Sequence, residues 1–140
     1  MNRSLLDTDT LSAINKAYDR QLLATAERYL ASYGLFTFSS VTVMEVARGY
    51  YLAARLERLG EFIASLADHE VLPFTESTAE LAGKIDAHLL KAGQPIGRAD
   101  PMIAATAIEH DLDLVTGNVE HFERIRALGY PLRIETWRGE

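Results

Sequence analysis

The chain has 140 residues, 48% of them hydrophobic, which suits one domain with a substantial buried core. Its 14 basic and 20 acidic residues give a formal charge of -6, which argues against a broad basic surface for non-specific nucleic-acid binding. It has no cysteine, so a disulfide framework and a thiolate zinc site are both excluded.

The opening residues meet Asp7 directly after Leu5-Leu6, too early for a signal-peptide core, and no later apolar run is long enough to span a bilayer. A cytoplasmic location is the default expectation.

Residues 4–7 form a short apolar run, and Thr8 to Thr10 supply capping residues for the helical pattern Leu11, Ile14, Ala17, Tyr18. Residues 19–33 read as a second helix closed by Gly34, and residues 35–39 as a second strand. Thr42 opens a helical stretch through Arg55 and Leu56, with a break near Gly60 and a continuation to Leu66. Residues 71–74 read as a third strand and residues 75–90 as a long amphipathic helix closed by Gly93. The turn Gln94-Pro95-Ile96-Gly97 leads into a helix over residues 101–110. Residues 112–116 form strand four, 119–128 a last helix stopped by Gly129-Tyr130-Pro131, and 132–136 strand five. The alternation predicts an α/β fold in one domain over residues 1–140. It has a central parallel sheet of about five short strands, with helices on both faces and ligands at the carboxyl ends of the strands.

That edge collects acids. Asp7 ends strand one, Glu45 lies in the first turn after strand two, and Asn118 follows strand four. Asp100 opens the helix that feeds strand four, and joins them if that helix starts at the carboxyl edge. Two helices separate strands three and four, so the long one must then cross the edge rather than descend the face. Each acid also has a purely structural reading. Thr42-Val43-Met44-Glu45 fits a capping box, and Asp100-Pro101 fits an N-cap followed by a first-turn proline. Asp7, directly after an apolar strand, is the hardest to dismiss. Together the carboxylates suit a hard cation such as magnesium or manganese, and one or two such ions serve phosphodiester cleavage well. The histidines at 69, 88, 110 and 121 show no paired zinc spacing and read as ordinary surface or helix residues.

Five stretches, in order, resemble the PIN-domain ribonucleases, in particular the VapC-like toxins of toxin-antitoxin pairs. They are Leu5-Leu6-Asp7-Thr8-Asp9; Ser40-Val41-Thr42-Val43-Met44-Glu45 with Gly49; Pro95-Ile96-Gly97-Arg98-Ala99-Asp100 running into Ile103-Ala104-Ala105; Leu114-Val115-Thr116-Gly117-Asn118 with His121-Phe122; and Ile134-Glu135-Thr136-Trp137. The resemblance implies a metal-dependent endoribonuclease with Mg2+ or Mn2+ bound by Asp7, Glu45 and Asp100. Asn118 would lie near the same ions, and Thr8 and Thr116 would hold carboxylates or water. It also implies an RNA substrate, a cognate antitoxin and a homodimer. Many members carry aspartate at the Asn118 position, and a neutral amide there weakens a second metal site. Glu120 is a weak substitute on a solvated helix face, and Asp9 reads mainly as a helix cap. Arg98 is the better candidate for a phosphate contact and Arg48 the poorer. Tyr29, Tyr33, Tyr50, Tyr51 and Phe62 have the stacking chemistry for RNA bases, but their helical spacing favours core or dimer packing.

Two other readings compete. Leu6-Asp7-Thr8-Asp9-Thr10-Leu11 also resembles the nucleophile motif of haloacid-dehalogenase-like phosphatases, but Thr116 follows Lys84 and precedes no aspartate, so the family's order fails. A non-catalytic RNA-binding or partner-binding PIN module has only Asn118 in its favour. Residues 46–66 carry more large apolar side chains than one core-facing stripe needs, consistent with either a protein partner or a helix pair folded onto its own core.

Overall fold

The computed structural model describes residues 1–138. Parallel strands need crossovers, and helices supply them. β1 (Ser4–Leu6) is followed by α1 (Thr8–Lys16) and α2 (Arg20–Tyr33), then β2 (Thr37–Ser39) by α3 (Ser40–Leu52) and α4 (Leu56–Ser65). A single 3-10 turn at Leu66–Asp68 leads to β3 (Glu70–Leu72), α5 (Glu76–Lys91) and α6 (Ala99–Glu109). β4 (Asp113–Val115), α7 (Val119–Ala127) and β5 (Ile134–Glu135) complete the described chain. The strands pair in parallel in the order β3-β2-β1-β4-β5, so the sheet has the expected class and β1 lies at its centre.

Alternate strand residues feed two cores. Leu5 and Leu114 point to one face, where Ile85 and Leu89 of α5, Ile103 and Ala104 of α6, and Phe122 and Ile125 of α7 cover them. Leu6, Phe38 and Val115 point to the other, against Leu11 of α1, Leu22 and Tyr29 of α2, Val46 of α3 and Phe62 of α4. Trp137, just past β5, joins this second core with its ring centroid 5.2 Å from that of Tyr29. The Tyr29 hydroxyl accepts the Ser4 N–H at 3.0 Å, which ties α2 to the central strand.

Local chemistry moves several boundaries. The N-cap of α1 is Asp7 itself, whose Oδ1 accepts the Thr10 N–H at 2.7 Å, so neither Thr8 nor Asp9 is the cap. The break in the long helical stretch lies at residues 53–55 rather than at Gly60, which sits inside α4. Ala54 takes a left-handed φ of 55° there, and the Arg55 N–H closes the corner on the Tyr50 carbonyl at 2.9 Å. α3 starts at Ser40, capped by the Ser39 hydroxyl, so Thr42 is inside the helix and the Thr42/Glu45 capping box does not form. α6 starts at Ala99 after Arg98, and Asp100 is a first-turn residue that caps nothing. Ser77 near the start of α5 donates to Glu109 at the end of α6 at 2.8 Å, so the two helices run antiparallel and α5 returns the chain to the carboxyl edge. Along α3 and α4, Val46, Leu59 and Phe62 are buried while Tyr51, Leu52, Leu56 and Ile63 are exposed.

Phe122, fully buried on α7, packs the helix that follows Asn118 against the sheet. Phe122→Ala should lower the unfolding free energy by about 3–5 kcal/mol, the usual range for a large core truncation. Urea denaturation measures this, and a loss under about 1 kcal/mol would show that α7 is not locked to the core in this way.

Candidate active site

The register of the central strands decides the site. Leu6 pairs with Val115, so the next residues, Asp7 and Thr116, emerge side by side at the carboxyl edge. The Thr116 hydroxyl donates to Asp7 Oδ2 at 2.5 Å, while its oxygen accepts the Asn118 N–H at 2.8 Å. Asp7 is 3% exposed and carries one hydrogen bond on each carboxylate oxygen. Burial pushes its carboxyl up from 3.8 to about 6, against the hydrogen bonds from Thr116 and Thr10, and the Asp9 charge adds to the rise.

From the adjoining helix, Thr8 donates to Glu45 Oε1 at 2.5 Å, and its hydroxyl oxygen lies 3.1 Å from that of Thr42, tying α1 to α3. Asp100 enters from α6. Burial raises its carboxyl above the ordinary carboxylate range and the charges of Glu45 and Asp9 add to this, while His121 pulls it down. The His121 Nδ1 lies 3.6 Å from Asp100 Oδ2 and 2.7 Å from the Asn118 amide nitrogen. Asp7, Thr8, Glu45, Asp100 and Asn118 thus line one open hollow of about 640 Å³, together with Asp9, Ser12, Lys16 and Gly117.

Arg98 is exposed at the N-cap of α6 and does not line the hollow, whereas Lys16 does. Glu120, with its side chain 86% exposed, turns to Arg124. Asp9 pairs with Arg138 at 2.8 Å across Gly117. A Cβ on Gly117 would stand 2.5 Å from Arg138 Nε and 2.8 Å from Asp9 Oδ2, so a larger residue there would push this ion pair aside.

The donor set fits a hard divalent cation. Each carboxylate oxygen of Asp7 has a lone pair beyond its one hydrogen bond, and neither Asp7 nor Glu45 has a lysine or arginine partner among the described residues. No three histidine, aspartate or glutamate residues among those described stand close enough to enclose an ion by themselves.

A PIN-domain family model matches residues 4–128. The chain belongs to the PIN-domain family. Its relatives include the tRNA(fMet)-specific endonuclease VapC of Salmonella typhimurium, 33% identical over 98% of this chain and 99% of that protein. Ribonuclease VapC2 of Haemophilus influenzae is 34% identical over the same shares. The DNA-bound VapBC crystal structure from Salmonella typhimurium superposes with a TM-score of 0.80 at 32% identity, covering 98% of this chain and 99% of that one. VapBC-1 of nontypeable Haemophilus influenzae gives 0.76 at 28% identity, covering 96% and 97%.

Sequence reasoning about this PIN domain passed over Lys16, Ser12 and His121 as site residues. The first two were accessible, because Asp9, Ser12 and Lys16 follow helical spacing down the face of α1 that starts at the site. His121 stands at i+3 from Asn118, a spacing that brings side chains together at a helix start.

The buried Asp7 couples this PIN domain's stability to pH. Its raised folded-state pKa means that the penalty is absent below about pH 4, grows as pH rises from 3.8 to about 6, and is complete above that. The gap corresponds to about 3 kcal/mol. In metal-free buffer Asp7→Asn, which retains an acceptor for the Thr10 N–H, should therefore melt several degrees higher than the parent at about pH 8 and close to it at about pH 4. Scanning calorimetry of both proteins at both pH values checks this, and equal melting temperatures at the higher pH would remove Asp7 as the source of the strain.

Proposed function

We propose that this PIN domain is the toxin of a toxin-antitoxin pair, a metal-dependent endoribonuclease that hydrolyses RNA phosphodiester bonds using magnesium or manganese at Asp7, Glu45 and Asp100. The observation that carries the reading is the shared hollow: carboxylates from β1, α3 and α6, far apart in sequence, line one concavity without a basic partner for Asp7 or Glu45. Relatives spanning nearly the whole chain are named VapC ribonucleases, and the superposed structures are VapBC complexes, which supports both the chemistry and an antitoxin partner.

A divalent ion held at these carboxylates supplies positive charge for the phosphate oxygens and lowers the pKa of an attacking water. The chain's own part is placement. Thr116 and the Thr10 N–H fix both oxygens of Asp7, and Thr8 fixes Glu45. Asn118, held through its backbone by Thr116 and through its side chain by His121, orients water or a phosphate oxygen with a neutral amide. The exposed apolar residues Tyr51, Leu52, Leu56 and Ile63 on α3 and α4 fit a protein interface, with the antitoxin or in a homodimer. No described helix is long and apolar enough to cross a membrane, and a cytoplasmic site of action accords with an RNA substrate. The phosphatase reading is set aside by the family match and by Asp9, which would be its general acid and instead pairs with Arg138.

Asp100→Asn should abolish RNA cleavage, by at least about a hundredfold for a lost catalytic ligand, while circular dichroism stays unchanged. Expression of the parent chain alone should arrest growth of its native host, and expression of the variant should not. Cleavage by Asp100→Asn at the parent rate would place the chemistry elsewhere.

Asn118→Asp adds a hard anionic ligand beside Asp100 and should create or tighten a second manganese site. Isothermal titration would show this as raised stoichiometry or affinity. Identical isotherms would put residue 118 outside the metal's reach.

A further inference from the structure

The hollow is acidic and its proposed substrate is a polyanion, so the position of the nearest cations constrains how RNA can approach. Among the described residues Lys16 is the only positively charged one lining the hollow, and it is exposed at the end of α1 with no ion pair to any of them. It also lines a neighbouring groove of about 590 Å³ between α1 and the α3–α4 corner. Hollow and groove share Ser12, Lys16 and Glu45, so they adjoin.

The groove inverts the charge balance of the molecule. Its charged lining is Lys16, Arg55 and Arg58 against Glu45 alone, in a chain with a net charge of -6. Arg55 and Arg58 are exposed and, like Lys16, form no ion pair among the described residues. Tyr18, 85% exposed, borders the same groove. Cations spaced along a channel beside an available aromatic face are the elements of single-strand binding, in which phosphates are neutralised and bases stack. The same cations would repel a basic peptide segment, so the charge favours RNA as occupant.

We infer that this groove carries the single-stranded RNA flanking the scissile phosphate, an inference that rests on the ribonuclease reading. Lys16 neutralises the phosphate next to the cleaved one, Arg55 and Arg58 hold phosphates farther along, and Tyr18 stacks on a base.

The test separates binding from chemistry. The full chain carrying Asp100→Asn is titrated with a fluorescein-labelled oligouridylate across a salt series and followed by anisotropy. Adding Arg55→Gln and Arg58→Gln together should flatten the plot of log affinity against log salt by about 1.4, or about 0.7 for each single-strand phosphate that goes unneutralised. Lys16→Gln should flatten it by about 0.7. Tyr18→Ala should weaken binding about tenfold and leave the slope unchanged. Lys91→Gln, on α5 in the layer across the sheet, should change neither. All five side chains are exposed, so the fold is not at risk. An unchanged slope in the Arg55/Arg58 double variant overturns the inference and leaves the groove to a protein segment. The ribonuclease reading fails on a different signal, undiminished cleavage by the Asp100→Asn chain.

Discussion

A carboxylate held out of water at the end of a central strand sets the terms for the rest of this molecule. Asp7 is placed by the β1–β4 register and gripped by Thr116 on one oxygen and the first turn of α1 on the other. A helix N-terminus favours the negative charge, but the desolvation of a nearly buried carboxyl outweighs it. The group therefore starts the helix and strains the fold together. A cation bound there would relieve that strain, and under the proposed function the same cation would equip the site for phosphate chemistry. Stability and activity would then be coupled through one ion, whose binding would raise the stability of the native state by mass action.

The surrounding acids repeat this arrangement in weaker form. Glu45 is held by Thr8 and lifts the proton affinity of Asp100 through space, and Asp9 does the same from the mouth of the hollow. Arg138 bridges to Asp9 across Gly117 and offsets part of the rim's charge without reaching Asp7. His121 stands between Asp100 and Asn118 and offers one nitrogen to both. Unprotonated, that Nδ1 accepts from the amide at 2.7 Å, and it stands 3.6 Å from the carboxylate.

The architecture was legible because the central strands β1 and β4 carry short apolar runs ended by Asp7 and Thr116, and most of the helices carry an apolar period. Asp7 was readable on the same ground, since an acid directly after Leu5-Leu6 in a parallel sheet has only the strand edge to occupy. Glu45 and Asp100 were ambiguous in sequence because a first-turn acid serves equally as a cap. Only the position of Ser39 as the real cap of α3, and of Arg98 before α6, frees both acids for the hollow. The bend between α3 and α4 was misplaced for a related reason: glycine is the usual sign of a break, yet Gly60 is helical and an alanine makes the corner. Arg138 escaped because its pairing with Asp9 depends on distant elements meeting across Gly117.

That alanine corner has a mechanical consequence. A left-handed alanine costs about 1–2 kcal/mol where glycine would adopt the angle freely, but alanine also has fewer unfolded conformations to lose. Backbone bonds from residues 53, 54 and 55 back to Gly49, Tyr51 and Tyr50 fasten the bend from inside. The join between α3 and α4 is thus a bracket rather than a hinge, and it fixes the gauge of the channel that Arg55 and Arg58 border. Under the inference that RNA occupies this groove, a strand would have to fit it as built, so the bulk its bases present would become a basis for selection.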